Sequence, residues 1–237
     1  MRPVRITTCP SPETCDGYYL VADLPPDHPQ AGKLLPCACT RARQSAAIRA
    51  KLPPKIRAMT FDTFRVEKNN RAAFDLASQL ANDPWGQERY WLVLLGPNQC
   101  GKTHLAAAVV NALLARGEPA SFESVPELLD DLRDEYSDSG FSRRFERVKA
   151  APVLALDDLG LESGGMGTEA QFSVPYELTW AQDKLYQIFE HRLVWEMSTI
   201  ITTNVPLDNL PARIASRLQN RQSARVAVIQ GDSRVQR

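Results

Sequence analysis

Val93-Leu94-Leu95-Gly96-Pro97-Asn98-Gln99-Cys100-Gly101-Lys102-Thr103-His104-Leu105 is the stretch whose reading decides the fold. Gly96 to Thr103 has the spacing G-x-x-x-x-G-K-T, a loop whose backbone N–H groups can face a phosphate. Gly96 and Gly101 permit turns that a side chain would block. Lys102 brings a positive charge to the β- and γ-phosphates of a nucleotide, and the Thr103 hydroxyl can ligate Mg²⁺. Pro97, Asn98, Gln99, Cys100 and His104 complete the set expected to bind the nucleotide. The flanks supply the required context. Tyr90 to Leu95 is a short apolar run, a buried-strand candidate, and Thr103 to Leu114 is a helix-forming run that ends near Gly117.

Working outward, Val153-Leu154-Ala155-Leu156-Asp157-Asp158 is an apolar strand that ends in two carboxylates, the expected partner of such a loop. Asp157 at the strand tip is expected to hold Mg²⁺, through water. Asp158 is expected to polarise the attacking water, because in-line attack needs an acceptor beyond the γ-phosphate. Ser198 to Thr203 is β-branched and delivers Asn204, a candidate for the γ-phosphate or the lytic water, or else an Asx-turn before Pro206. A terminal helix over Leu210 to Leu218 places Arg213 and Arg217 four apart on one face. Arginines so placed can neutralise transition-state charge in a neighbouring subunit, or simply form a solvated basic face.

The 237 residues suit one sizeable domain with a small appendage. Apolar content of 43% and 24% charged residues exclude a disordered chain. No run approaches the ~18 apolar residues of a membrane span. With no signal-peptide core at the start, the expectation is a cytoplasmic protein with no membrane partner. Formal net charge is zero but uneven: residues 1–55 carry eight Lys/Arg against four Asp/Glu, and residues 207–237 carry six Arg against two Asp. Basic ends on an acidic middle fit nucleic-acid contact, head-to-tail subunit packing, or ordinary solvated surface.

Near the start, Cys9 and Cys15 form one close pair and Cys37 and Cys39 another. Four thiolates around Zn²⁺ would staple a segment with too little core to fold alone. Unliganded cysteines and disulfides are the competing readings of the same spacing. His28 is a possible substitute ligand or a loop histidine. Arg41 to Lys51 reads as a basic connecting helix ended by Pro53-Pro54, and Asn69 to Ala81 as a further helix. Phe61 and Phe64 between them suit core packing, or stacking on a base. Pro119 to Phe122 reads as a second strand and Val125 to Arg133 as a helix. Arg143 and Arg144 could touch a nucleic-acid backbone or face solvent. Leu161 to Val174 reads as a flexible glycine-containing loop, and Ala181 to Leu193 as an amphipathic helix.

Taken in order, Gly96–Leu105, Leu156-Asp157-Asp158-Leu159-Gly160, Thr199–Asn204, Arg213-x3-Arg217-Leu218 and Gly231-Asp232-x-Arg234 resemble the AAA+ ATPases of the bacterial helicase-loader group. These are the DnaC/DnaI loaders and the related IstB-like transposition ATPases. The resemblance covers residues 50–237 and rests on the ensemble of motifs. Cys9, Cys15-Asp-Gly-Tyr and Cys37-Ala-Cys39 also resemble the zinc module of DnaI-type loaders, which favours zinc. The IstB-like proteins generally lack that module, which tilts the resemblance toward a loader.

The resemblance implies a three-layer α/β AAA+ P-loop domain, a parallel sheet with helices on both faces. Residues 1–44 would be a zinc-binding, helicase-interacting module, 45–66 a basic helix and linker, and 67–237 the ATPase domain with a truncated lid. It implies ATP, Mg²⁺ and Zn²⁺ as cofactors, and slow ATP hydrolysis stimulated by partner or DNA. Its partners would be a replicative hexameric DNA helicase, single-stranded DNA and further copies of itself. ATP would lie at the subunit interface, with Arg217 acting in trans. The alternative is an IstB-like ATPase that activates a transposase on duplex DNA; another is a binding adaptor that uses ATP only as a ligand. Two departures bear on turnover. Asn98-Gln99-Cys100 stands where small residues are usual, and Asp158 is shorter than the usual second-acid glutamate, which suits a switch.

Overall fold

The computed structural model describes residues 9, 15, 17–20, 34–84, 91–134, 139–160 and 179–230. Its centre is a five-stranded sheet built from β3 (Trp91–Leu95), β4 (Ala120–Ser124), β5 (Val153–Leu159), β6 (Ser198–Thr203) and β7 (Ala224–Val228), in the order β4-β5-β6-β3-β7. Every neighbouring pair is parallel. A parallel sheet must be covered on both faces, and its strands here are apolar on both. Leu92, Leu94, Val153, Ala155 and Ile200 face one core, filled by α3 (Arg71–Asn82) and α4 (Lys102–Ala115). Val93, Leu154, Leu156 and Ile201 face the other, filled by α5 (Val125–Asp134), α7 (Trp180–Val194) and α8 (Ala212–Leu218). This is the α/β three-layer architecture expected from the sequence.

Five elements had no counterpart in the sequence reading. Tyr18–Leu20 (β1) and Leu34–Pro36 (β2) pair antiparallel ahead of α1 (Ala38–Lys51). Pro54–Ala58 forms a short helix, α2: Pro53-Pro54 ends one helix and at once begins another, because proline at the first helical position sacrifices no hydrogen bond. Ser139–Lys149 is α6, the helix that carries Arg143 and Arg144. Finally, β7 lies at the sheet edge beside β3, beyond the helix taken as the last element.

Arg144 does not stand free for a nucleic-acid backbone. Its Nη2 lies 2.8 Å from Asp131 Oδ2 and 3.4 Å from Glu123 Oε2, joining α6 to α5 and β4. Phe61 and Phe64 take the core-packing role, each within 6 Å of the Phe74 ring (centroids 5.5 and 5.9 Å). His28, the Leu161–Val174 loop and Gly231–Arg234 lie outside the described residues. No described helix is long and apolar enough to cross a membrane.

Candidate functional site

The phosphate loop leaves the C-terminal end of the central strand β3 and enters α4 directly. Gly101 there has φ +100, and Gln99 before it φ +62, so two left-handed residues wind the loop inward. Gly96 is needed for a different reason: a Cβ would collide with Ile229 O, on the chain leaving β7. Lys102 is buried, its Nζ donating to Gly96 O at 2.9 Å and Pro97 O at 2.8 Å. The lysine therefore already lies over the loop.

Asp157 and Asp158 sit at a β-bulge. Leu156 registers with Ile201 and Leu159 with Thr203, so two acids on β5 oppose the single Thr202 on β6. Alternation carries Asp157 to the α4 side of the sheet, while Asp158, at φ +61, turns toward the cavity. Thr202 fixes both. Its Oγ1 donates to Asp157 Oδ1 at 2.6 Å and accepts from the Asp158 N–H at 2.9 Å. Burial pushes the Asp157 carboxyl above the ordinary range, against opposing hydrogen bonds from Thr202 and Thr103 and the charge of Lys102. A buried carboxylate beside a lysine and a threonine hydroxyl is one that a divalent cation would ionise.

Asn204, at the end of β6, donates through Nδ2 to Asn98 Oδ1 at 3.0 Å, which ties that strand to the loop. Arg217 is elsewhere. It does not line the cavity of its own chain; it pairs with Glu190, donates to Tyr186 Oη at 3.1 Å and lies 4.7 Å over the Tyr186 ring.

A cavity of about 350 Å³ opens over the loop, lined by Asn98, Gln99, Gly101, Lys102, Thr103, His104 and Asp158. Its remaining wall is Lys55, Ile56 and Met59, none of which the motif reading reached. Thr202 was missed too, lost among the threonines of a correctly read strand. A buried asparagine, Asn111, on the otherwise apolar helix α4 was the available signal that something polar docks on that face.

At the other end of the chain, the sulfurs of Cys9, Cys15, Cys37 and Cys39 all lie within 4.8 Å of one another. Cys15 Sγ and Cys39 Sγ are 3.6 Å apart. That is far beyond a disulfide's ~2.05 Å. It matches the about 3.8 Å edge of a tetrahedron with Zn–S bonds of about 2.3 Å. Gly17, at φ +93, turns the chain so that its N–H reaches Cys15 Sγ at 3.4 Å and its carbonyl accepts from the Cys37 N–H at 2.9 Å. The hydrogen bond from Cys15 is the main influence that draws the Cys39 thiol down to about 7. The donor set and the spacing fit zinc. Cys100, as expected, is not among the four.

Comparison with known proteins agrees with this geometry. Residues 38–217 match the family described as IstB-like ATP binding protein. An ATP-binding protein of an insertion sequence in Mycobacterium tuberculosis is 28% identical over 164 residues, 68% of this chain and 60% of that one. The replicative helicase loader DnaI of Bacillus subtilis is 28% identical over 120 residues, 50% of this chain and 34% of that one. A crystal structure of DnaI superposes with a TM-score of 0.60 at 25% identity, covering 78% of this chain and 94% of that one. The chain spans between about a quarter and three fifths of the length of the curated relatives it matches. With the phosphate loop, the paired acids and a match over most of its length, the chain belongs to the family of IstB-like ATP-binding proteins, related to the DnaI helicase loader.

Proposed function

We propose that this chain is an ATP-switched loader that engages a replicative DNA helicase and places it on single-stranded DNA. The observation that carries this reading is the four-cysteine cluster joined to a loader-type ATPase fold. Three of the four thiols precede the family-matched residues 38–217, and all four meet the spacing for Zn²⁺. Cys37 is both a candidate ligand and the residue that starts α1, so a metal there would anchor the helix leading to the ATPase core. The helicase would dock on that module.

In the ATPase core, the loop amides and Lys102 bind the β- and γ-phosphates. Thr103 and Asp157 would hold Mg²⁺, which when bound neutralises charge on the phosphates. Asp158, held in position by Thr202, accepts a proton from the attacking water. Asn204 reads the γ-phosphate through its link to Asn98. Arg217 completes the site of a neighbouring copy, which requires leaving Glu190 and Tyr186. ATP hydrolysis is slow and acts as a switch.

A second reading has its own support: the family description and the insertion-sequence relatives favour an ATPase that activates a transposase on duplex DNA. Co-purification with a replicative helicase, in ATP and in ADP and scored by mass on size exclusion, separates the two. A nucleotide-sensitive complex that is lost on Cys37→Ser/Cys39→Ser, or on metal removal with a chelator, is the expected result. No complex, with ATP-dependent assembly on duplex DNA, would replace the loader reading by the transposition one.

A further inference from the structure

The wall of the cavity opposite the phosphate loop is a single strap, Pro54 to Phe64, and two side chains of α4 hold it. Asn111 is 2% exposed in a helix that beyond its first turn is otherwise buried through Ala, Val and Leu. Its Nδ2 donates to Ile56 O and to Met59 O, both at 2.8 Å. Both partners are carbonyls, so the amide can only be oriented this way. These carbonyls lie at the C-terminal end of α2, where Ile56 O also accepts the Met59 N–H at 3.1 Å and Met59 O lies past the last helical turn. Asn111 thus caps α2 from another helix. Its Oδ1 is buried without a partner among the described residues, a cost that accompanies the supply of both protons to the strap.

Seven residues earlier, and so on nearly the same side of α4, His104 makes the second hold. Its Nε2 lies 2.9 Å from Thr60 O and 3.2 Å from Thr63 Oγ1, and its ring meets Phe64 edge-on at 5.2 Å. Phe64 in turn closes over the loop: a Cβ on Gly101 would lie 2.9 Å from Phe64 Cε2. The residues whose carbonyls Asn111 holds, Ile56 and Met59, line the cavity beside Lys55. Ile56 and Met59 are apolar, as a purine face requires, whereas the opposite wall carries the amides and the lysine.

We propose that Asn111 and His104 are positioning residues that latch Pro54–Phe64 as the base-side wall of the cavity, setting affinity for the purine rather than for the phosphates. The proposal rests on the reading of this cavity as the nucleotide site. Its consequence is that base and phosphate recognition hang from one helix. Because α2 directly follows α1, the wall also lies on the chain path between the nucleotide and the cysteine cluster.

The test measures Kd for Mg·ATP and for Mg·tripolyphosphate, which keeps three phosphates and removes base and ribose. Asn111→Leu keeps the branching at Cγ and removes both hydrogen bonds. It is expected to weaken ATP by about 10-fold and tripolyphosphate by less than about 2-fold. If Asn111→Leu does not fold, the His104 pair carries the test. His104→Phe keeps the ring on Phe64 and loses the nitrogen; His104→Gln keeps a donor for Thr60 O. The first is expected to weaken ATP selectively and the second to restore it. Hydrogen exchange over residues 54–64 should slow with ATP and not with tripolyphosphate. Variants that shift both ligands equally, or neither, would overturn the latch while leaving the cavity a nucleotide site. Wild-type protein that binds neither ligand would overturn the cavity reading itself.

Discussion

The two walls of the cavity hang from the same helix, yet different forces build them. The phosphate wall is made of backbone: left-handed Gln99 and Gly101, a glycine pressed against Ile229 O, and a lysine folded on its own loop's carbonyls. Its parts lie within eight consecutive residues. The strap wall is held by side chains reaching across 44 and 55 positions, from His104 to Thr60 and from Asn111 to Ile56. A local loop can carry its chemistry as a motif, because neighbours in sequence are neighbours in space. A wall built by long-range hydrogen bonds has no such signature, and a single partner suffices to undo it.

The largest effect should come from the phosphate wall. Lys102→Ala is expected to lower ATP turnover by at least about 100-fold and to weaken ATP and tripolyphosphate together, in contrast to the strap variants. Steady-state turnover and titration of both ligands check this; selective loss of ATP alone would erase the distinction between the walls. Asp158→Asn comes next. It should cut turnover by about 100-fold while ATP affinity stays within about 2-fold, since the amide still fills the bulge but no longer accepts the water's proton. Single-turnover hydrolysis beside equilibrium binding reads the two separately. Full loader function with turnover gone would instead favour a binding adaptor.

Gly101→Ala tests the point where the walls touch. A Cβ there meets Phe64 and must adopt φ +100, so the melting curve should show about 1–3 kcal/mol of lost stability. Adding Phe64→Leu should recover only the part due to contact with the ring. Complete recovery would mean that the strap alone, and not the loop's backbone, demands glycine.

The smallest effect lies on the edge strand β4. Burial raises the Glu123 carboxyl above its ordinary 4.5, with Arg144 pulling against it. A carboxyl raised in the folded state adds stability at low pH that is lost as pH rises through its folded value. Glu123→Gln should therefore flatten the decline in stability between pH 4.5 and neutrality by less than about 1 kcal/mol, without changing either ligand's affinity. Denaturant midpoints across that pH range provide the check, and a steeper decline would contradict it.

The sequence by itself determined the strand–loop–helix unit at Gly96–Thr103, the two acids late in β5, the strand leading to Asn204 and the two close pairs of cysteines. Each depends on residues close along the chain, where periodicity, glycine conformation and spacing act directly. It did not disclose that Asp157 and Asp158 straddle a bulge locked by Thr202, because that bulge exists only against β6. Nor did it disclose β7, whose alternating Ala224, Val226 and Val228 is too short to read alone and is ordered by pairing with β3. α2 was hidden for a related reason: its five residues are too few to hold a helix alone, and Asn111 supplies the cap from elsewhere. Tertiary structure decided these features because each backbone group or carboxylate found its partner only after distant segments had packed, and burial then made that partner obligatory.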